Sequence, residues 1–533
     1  MRQQQPRTLK MNSMYRIAFI LFLMPMIGFA QSSVSSVFID SIVNASMNTF
    51  PQAGVAIGVI QDGKVTHLKG YGVASSNAGT KVDEHTLFAI ASNSKAFTST
   101  ALGILVDQGK LSWDDKVVDH IPEFKMYDPY VTASFTILDL LTHRSGLGLG
   151  AGDLMFFPDG ADFTINDVIK SFQYQTPVSD FRTKYDYDNL LYIVAGEVVG
   201  RVSGKSWEQF VKQEIMQKLG MHQSEGNFQS IVSNQNVAAP HKVENNAIAE
   251  IAPYTKSDGS LGAAGGIYSS VSDMSKWVMM HLNDGVFGDG LSDTLISAAN
   301  HQELWKLHTN VGYSVYGMGV YDNHYRGYGL GFFLEDQNGY SVVSHSGGLP
   351  GMLSMVTMIP ELNAGIIVLT NCLPGGLSLV TLTNEIKDEL IGAKGVDWIN
   401  WASSRLGQTS AVADSVVGAV WEQVEISKSI KVNLDDFVGR YKDDWFGEVV
   451  ISKKDNGLWF ESVRSPKLNG KMQLYKANTF AIKWEYQDMD CDAFAMFQLD
   501  ENGKGIAIAM KGISPSIDFS FDFHDLDLKR IAD

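Results

Sequence analysis

The sequence predicts a mixed α/β fold of the α+β kind, in which an antiparallel sheet is flanked by helices and a helical region is inserted, followed by a smaller all-β C-terminal domain. Three observations predict it. Strand-like runs lie near both ends of the first 395 residues, a helical period dominates between them, and short alternating runs fill the chain after Asp436. Strands contributed by both ends of one chain would close a single sheet, with a cleft between sheet and helices.

The elements of the first part follow from local pattern. An apolar run at Gly54–Ile60, an Asp62-Gly63 turn and a returning run at Lys64–Lys69 predict a hairpin. Later residues predict a second hairpin about Asn338-Gly339 and then two more strands. The predicted helices are one after Ser92 and those at 137–141, 190–202, 206–219 and 272–282, and the later strands are at 328–334, 340–345, 352–359 and 365–371.

Composition places the chain among folded proteins. It has 533 residues, of which 45% are hydrophobic and 19% charged, enough for more than one domain. Residues 1–30 resemble an export signal, because basic residues precede an apolar run at Ile17–Phe29 and the small-residue site Gly28-Phe29-Ala30. An uncleaved anchor is the alternative, although the run is short for a membrane span. We therefore expect a periplasmic or secreted protein without an integral membrane span after signal removal.

The predicted boundaries are 1–30 for the signal, 31–395 for the first domain, 396–435 for a helix-bearing linker and 436–528 for a β-sandwich or barrel. Asn-Gly turns at 456–457, 469–470 and 502–503 separate the short strands of that last domain. Beyond the signal the chain carries 38 basic and 59 acidic side chains, a formal charge of −21. This charge argues against nucleic acid and anionic membranes as partners, and favours a small-molecule or peptide substrate.

Neither a metal nor a cofactor is predicted. Cys372 and Cys491 are the only cysteines and lie far apart in sequence, so no disulfide framework is implied. No His-Glu-x-x-His or Cys-x-x-Cys spacing occurs. The sequence does not determine the oligomeric state.

The candidate chemistry begins with Ser92 and Lys95, the only Ser-x-x-Lys in the chain. A helical pattern starts at this point, and a spacing of three places both side chains on one face of its first turn. The amine can then reach the hydroxyl, as a nucleophilic serine requires. The alternative is that Ser92 only caps the helix and Lys95 is solvated.

Two later motifs supply further candidates. Tyr187 and Asn189 precede the helical pattern at 190–202, and a phenol beside a lysine could transfer protons while the amide holds Lys95 or a substrate carbonyl. Tyr321-Asp322-Asn323 has the same spacing and is the competing candidate. His345-Ser346-Gly347-Gly348 ends a predicted strand, where glycines let a substrate approach and Gly348 could offer an oxyanion N–H together with Ser92. Each motif taken alone is also consistent with an ordinary turn.

In this order the three motifs, over residues of about 35 to 395, resemble the penicillin-recognising serine hydrolases (peptidase family S12), within the branch of class C β-lactamases, D-aminopeptidases and esterases. The resemblance implies a β-lactamase/DD-peptidase fold. It also implies that Ser92 is the acylated nucleophile, Lys95 its activating partner, Tyr187 the general base and acid, and Asn189 a positioning amide. Residues of about 436 to 525 resemble, more loosely, a lipocalin-like domain that could pack over the cleft or mediate oligomers.

The expected activity is hydrolysis of an amide or ester through a Ser92 acyl-enzyme, as in a peptidase, including one specific for D-residues, or an esterase. His345 stands where the lactamases carry lysine, and a histidine suits a substrate carboxylate less well. A true class C-type β-lactamase and a non-turnover penicillin-binding sensor are the alternatives. An α/β-hydrolase is disfavoured, because no Gly-x-Ser-x-Gly occurs in the chain.

Overall fold

A central antiparallel sheet organises the first 395 residues. The computed structural model describes residues 34–234, 236–244, 247–256, 259–312, 320–373, 375–455 and 457–532. The predicted export signal lies outside these residues. Its strands are β1 Gly54–Gln61, β2 Lys64–Gly72, β3 Thr309–Asn310, β4 Arg326–Tyr328, β5 Phe333–Gln337, β6 Tyr340–Leu349, β7 Met352–Ile359 and β8 Ala364–Thr370. In spatial order the sheet runs β2-β1-β8-β7-β6-β5-β4-β3, so β1 from the start of this part pairs with β8 from its end.

Helices cover both faces of this sheet. Strand β1 is buried at every position, because its alternate side chains enter two different cores. Val55 and Ile57 pack with α1 and α5, whereas Ala56 and Ile60 belong to the core that contains α2 and α4. The longer helices are α1 Ser36–Thr49, α2 Ser94–Asp107, α3 Asn189–Ser203, α4 Val271–Leu282, α5 Gly376–Ile391 and α6 Trp398–Ser427.

Shorter elements complete the helical region between β2 and β3. Shorter helices lie at Val117–His120, Pro129–Ser134, Ile137–Leu141, Ile165–Ser171, Trp207–Val211 and Ala298–Leu304, and short strands lie at Phe88–Ala89, His241–Glu244, Ala247–Glu250, Tyr268–Ser269, Val286–Phe287, Asp293–Thr294 and Cys372–Leu373. A π-helical turn at Lys212–Met216 continues the helix that begins at Trp207, over the range predicted as one helix. Among the described residues, none of these helices has the length and apolar character that a bilayer span requires.

One predicted strand is wrong. The run 328–334 is not continuous, because β4 ends at Tyr328 and β5 begins at Phe333. Gly331 lies between them with φ +85°, and a Cβ added there would lie 2.9 Å from the backbone of Ala96. The chain must turn here to pass the first turn of α2, and this close approach is not visible in strand propensity. The hairpin about Asn338-Gly339 is confirmed, as β5 and β6.

The C-terminal part is a closed antiparallel barrel, which decides between the sandwich and the barrel that the sequence left open. Its strands pair in chain order, and the last strand pairs with the first, so the ring has no free edge. They are β9 Gly439–Asp443, β10 Gly447–Lys454, β11 Gly457–Ser462, β12 Asn469–Lys476, β13 Thr479–Trp484, β14 Ala493–Leu499, β15 Gly505–Gly512 and β16 Leu528–Arg530.

Helix α6 connects the two parts and packs on both. At its start the Trp398 indole donates to a carboxylate oxygen of Asp388 on α5 at 2.7 Å. Near its end Val420 and Val424 form a small core with Ala481 and Ile513 of the barrel. The barrel is therefore held against the sheet-containing part rather than tethered by an extended linker.

Direct contacts also join the two parts. Arg464 of the barrel donates to Asp162 at 2.7 Å and to Asp167 at 3.0 Å, and Lys467 lies 2.5 Å from Asp159. The segment 513–527 between β15 and β16, here named the barrel loop, also contacts the first part. Its Asp522 accepts hydrogen bonds from backbone N–H groups of residues 152 and 154.

Candidate active site

The turn that precedes α2 holds Ser92 in place. Ala91 has φ +47°, an uncommon conformation for a residue with a side chain. Ser354 on β7 supports this turn, because its hydroxyl donates to the Ile90 carbonyl at 2.6 Å and accepts from the Asn93 amide at 2.8 Å. The regular helix begins at Ser94, after a 3₁₀ turn at Ala91–Asn93. Ser92 is half-buried here, whereas Lys95 is fully buried.

Lys95 has three hydrogen-bond partners. Its Nζ lies 3.1 Å from Ser92 Oγ, 2.7 Å from Asn189 Oδ1 and 2.8 Å from the Ala264 carbonyl. Burial lowers the pKa of this amine to about 7, against the opposing effect of the Asp153 and Asp188 carboxyls. Near neutral pH a large fraction of Lys95 is therefore a free amine. This amine can accept the proton of the neighbouring Ser92 hydroxyl.

Tyr187 lies next to both groups. Its hydroxyl is within hydrogen-bonding reach of the Ser92 side chain, and Lys95 Nζ lies 4.8 Å from its ring centroid. The following residue, Asp188, caps α3 by accepting from the Leu191 N–H at 3.2 Å, which fixes the end of this loop. Burial raises the pKa of the Tyr187 phenol well above its ordinary value, although the Ser92 contact lowers it. The resting phenol is thus protonated and suited to donate.

The competing tyrosine lies elsewhere. Tyr321 donates to Asp388 on α5 at 2.6 Å and does not line the cavity at Ser92.

His345 is buried on β6. Its Nδ1 lies 2.5 Å from the Ser346 carbonyl and its Nε2 lies 3.0 Å from the Tyr328 hydroxyl. A carbonyl can only accept, so we assign the proton to Nδ1, and Nε2 accepts from Tyr328. Burial, helped by the nearby Lys95 charge, lowers the pKa of His345 to about 3. The imidazole is therefore neutral at physiological pH and has both nitrogens engaged.

The end of β6 lies directly against the nucleophile turn. A Cβ added to Gly347 would lie 2.2 Å from the Ile90 carbonyl oxygen and 2.9 Å from Ser92 N. Only glycine permits this approach. At Gly348 the nearest atom to an added Cβ is in the Leu353 side chain, at 3.3 Å. The strand thus places backbone groups beside Ser92, and the exposed Gly348 lines the same cavity.

These residues surround one cavity of about 330 Å³. Lys95 lies behind it and hydrogen-bonds three of its lining residues, Ser92, Asn189 and Ala264. The structure therefore brings together all eight residues that the sequence nominated. The nominated residues in the lining are Ser92, Tyr187, Asn189, His345, Ser346, Gly347 and Gly348.

Most of the other residues that line the cavity were not predicted from the sequence. An aromatic and apolar side comes from Phe156, Phe157, Tyr254 and Leu261, and another side comes from residues 518–520 of the barrel loop. The Phe519 ring stands edge-on to Tyr187, with centroids 5.8 Å apart. No local motif marks these residues, because their role depends on which loops meet across the cleft.

The described part of the chain contains no cluster of three or more His, Cys, Asp or Glu side chains with the geometry of a metal site. Cys372 and Cys491 are both buried and unpaired.

Residues 39–388 match the family described as Beta-lactamase, and residues 428–530 match a domain of unknown function, DUF3471. Unguisins hydrolase ungD of Aspergillus violaceofuscus is 28% identical over 348 residues, which cover 60% of this chain and 58% of that protein. Penicillin-binding protein 4 of Amycolatopsis lactamdurans is 28% identical over 342 residues, covering 64% of this chain and 86% of that protein. The chain thus spans less than two thirds of the length of the Aspergillus relative.

A solved structure, that of the octameric penicillin-binding protein homologue from Pyrococcus abyssi, aligns over 92% of this chain and 98% of its own, with a TM-score of 0.56 and 19% identity. This agreement shows that the fold is shared over almost the whole length of the chain. The family match covers well over half of the sequence and contains Ser92, Lys95, Tyr187 and His345. The protein belongs to the beta-lactamase family of penicillin-binding-protein-like serine hydrolases.

Proposed function

We propose that the protein is an exported serine hydrolase that cleaves an amide or ester bond through an acyl-enzyme on Ser92, as a peptidase or an esterase. The observation that carries this proposal is the 3.1 Å contact between the Ser92 hydroxyl and a buried Lys95 amine whose pKa is lowered to about 7. Such an amine can deprotonate the serine near neutral pH without help from a metal.

In the proposed acylation, Ser92 gives its proton to Lys95 while Oγ bonds to the substrate carbonyl carbon. The carbonyl oxygen becomes an oxyanion, for which the N–H groups of Ser92 and Gly348 are the proposed donors. The C–N or C–O bond then breaks, and the leaving group takes a proton from Tyr187, which regains one from Lys95. We thus assign proton acceptance to Lys95 and proton donation to Tyr187, because burial favours the protonated phenol.

Water completes the proposed cycle. It loses a proton to the Lys95–Tyr187 pair, attacks the ester carbon and releases a carboxylic acid, while Ser92 recovers its proton. The wall of Phe156, Phe157, Tyr254 and Phe519 favours substrates with apolar or aromatic groups beside the scissile carbonyl.

A fluorophosphonate probe tests this proposal. We expect mass spectrometry of the digested protein to find the adduct on Ser92, and Ser92→Ala to lose both the adduct and turnover of p-nitrophenyl esters. The variant should keep its melting temperature within a few degrees, because Ser92 makes no helix-capping hydrogen bond here. A folded wild-type protein that acquires no adduct on Ser92 would refute the proposal.

A penicillin-binding role is the second candidate, favoured by the match over 86% of the length of Penicillin-binding protein 4. Against efficient β-lactam hydrolysis, His345 is neutral and its nitrogens are occupied, so it offers no fixed positive charge to a penicillin carboxylate. An assay with a chromogenic cephalosporin distinguishes a β-lactamase, a penicillin-binding sensor and the proposed peptidase or esterase. Rapid hydrolysis of the cephalosporin would indicate a true β-lactamase, and a long-lived adduct would indicate a sensor. For the proposed peptidase or esterase we expect neither rapid hydrolysis nor a long-lived adduct.

A further inference from the structure

A chain of hydrogen bonds leads from the barrel loop to the amine of Lys95. Ser520 Oγ donates to Asp153 Oδ2 at 2.8 Å, and Asn189 Nδ2 donates to the same oxygen at 2.8 Å. The other end of the Asn189 amide, Oδ1, accepts from Lys95 Nζ at 2.7 Å. Asp153 is fully buried and does not line the cavity, so its hydrogen bonds reach the site only through these neighbours.

The orientation of Asn189 depends on Asp153. A side-chain amide has an oxygen end and an NH₂ end of nearly equal size, and turning it over exchanges an acceptor for a donor. The acceptor at Asp153 fixes the NH₂ end on one side and thereby presents the oxygen to Lys95. With the amide reversed, N–H groups would point at the amine and Lys95 would lose one of its three partners.

The barrel loop holds Asp153 from the other side. Besides the Ser520 bond, Asp522 accepts from the backbone N–H groups of Gly152 at 2.8 Å and Leu154 at 3.0 Å, on both sides of Asp153 in the chain. The segment that carries Asp153 is therefore anchored by the barrel and not only by its own domain.

We propose that Asp153 is a positioning residue that sets the orientation of Asn189 toward Lys95, and that Ser520 of the barrel loop keeps Asp153 in place for this role. The inference rests on the proposed acylation of Ser92, and it makes the C-terminal barrel a contributor to the catalytic geometry.

The role proposed for Asp153 requires a hydrogen-bond acceptor and not a charge. Both of its donors bind Oδ2, while Oδ1 has no partner among the described residues. The ionisable groups that face it are Asp188 and Tyr187 at the start of α3, Lys95 on α2 and Asp522 on the barrel loop. Burial raises the pKa of Asp153 well above its ordinary value and Asp188 adds to this, while Asn189, Ser520 and Lys95 act in the opposite direction. A neutral acid still offers its carbonyl oxygen to both donors.

This distinction selects the variants. Asparagine at 153 can keep an acceptor at the Oδ2 position, whereas leucine has similar volume and no acceptor. Ser520→Ala removes the donor that the barrel loop supplies to Asp153 and leaves the donor from Asn189. Arg464→Gln is the matched control, because it weakens a barrel contact at Asp162 and Asp167 that does not touch this chain of bonds.

The readout is the second-order rate constant of Ser92 modification by a fluorophosphonate, measured from pH 5 to 9 on the full chain. We expect Asp153→Leu to lose about 100-fold, since small misplacement of catalytic groups has costs of that order. The rate constant of this variant should rise with pH about a midpoint that is lower than the wild-type midpoint by about half a pH unit or more. The reason is that a reversed Asn189 amide no longer stabilises the Lys95 ammonium. Asp153→Asn should regain at least about a tenth of the wild-type rate, and Ser520→Ala should lose about three- to tenfold.

Several results would overturn the inference. They are an unchanged rate and midpoint in Asp153→Leu, an Asp153→Asn variant as impaired as Asp153→Leu, and an Arg464→Gln control that reproduces the loss in Ser520→Ala. If Asp153→Leu does not fold, Ser520→Ala decides alone, and an unchanged rate there refutes the role of the barrel. Failure of the proposed function is distinct, since the wild type would then form no Ser92 adduct.

Discussion

At the scale of single residues, proton affinity separates the roles around Ser92. Burial acts in opposite directions on an amine and on a phenol, because it disfavours whichever form is charged. Lys95 therefore tends toward its neutral base form and Tyr187 toward its neutral acid form. The two side chains therefore form a complementary acceptor and donor pair.

The first residue-scale prediction concerns pH. Only the neutral amine of Lys95 can accept the Ser92 proton, so the rate of Ser92 modification should rise as pH increases through about 7, where the amine loses its charge. Lys95→Arg, which stays protonated throughout this range, should react at least about 100-fold more slowly and lack that rise. A wild-type rate that is flat from pH 5 to 9 would contradict the assignment of Lys95 as the base.

A second prediction separates the leaving groups. Tyr187→Phe removes the proton donor, which an amine leaving group needs and a p-nitrophenolate does not. We expect hydrolysis of an aminoacyl p-nitroanilide to fall at least about tenfold more than hydrolysis of the corresponding p-nitrophenyl ester. Equal losses on both substrates would assign Tyr187 to positioning rather than to proton donation.

At the scale of elements, the site depends on how closely β6 approaches the turn before α2. Gly347 faces the Ile90 carbonyl, and Ser354 of the neighbouring strand β7 bonds to that same carbonyl. The positive φ of Ala91 is thus held by strands that pair only in the folded sheet. Strand register, and not the Ser-x-x-Lys spacing alone, determines where the Ser92 hydroxyl points.

Gly347→Ala tests this contact. The added methyl group overlaps the Ile90 carbonyl, so we expect a loss of about 1–3 kcal/mol in the free energy of unfolding together with a fall in Ser92 reactivity. Gly348→Ala is the steric control, because its added methyl group meets only a flexible leucine side chain at 3.3 Å. Equal melting temperatures for the two variants would argue against the tight approach.

At the scale of the whole molecule, the barrel completes the cavity with residues 518–520 and is joined to the first part by ion pairs. Although burial would raise the pKa of Asp167, the Arg464 guanidinium and the Thr164 donors lower it to about 2. A carboxyl with a lowered pKa stabilises the folded state above its unfolded pKa of about 4, and this contribution is lost as pH falls toward about 2. The contact between the parts should therefore weaken within that acidic interval.

Arg464→Gln tests this attachment. These side chains are partly exposed, so we expect the free energy of unfolding at pH 7 to fall by about 1 kcal/mol or less. Hydrogen exchange of residues 162–167 and of residues 462–467 should become faster in the variant, since this contact opens more often. The variant should also lose less stability than the wild type between pH 4 and 2. Unchanged exchange in both segments would show that the remaining contacts, made by α6, Lys467 and the barrel loop, hold the barrel without Arg464.

The sequence by itself determined the order of the parts and the candidate chemistry. Hydrophobic periodicity and Asn-Gly turns indicated the helices, the hairpins and the all-β C-terminal part, because these signals are local. The spacing of Ser92 and Lys95 needed only one helical turn to become a contact. The break at Gly331 escaped prediction, since a close approach to Ala96 leaves no trace in strand propensity.

Only the tertiary structure decided what surrounds that chemistry. The pKa values of Lys95, Tyr187 and His345 depend on burial, which arises from chain segments hundreds of residues apart. The sequence favoured Tyr187 over Tyr321, but only the folded chain places Tyr187 in the cavity at Ser92 and Tyr321 against Asp388. The closure of the barrel and the insertion of its loop beside Asp153 depend on strand pairing and docking between distant segments, and no local pattern in a single sequence encodes those contacts.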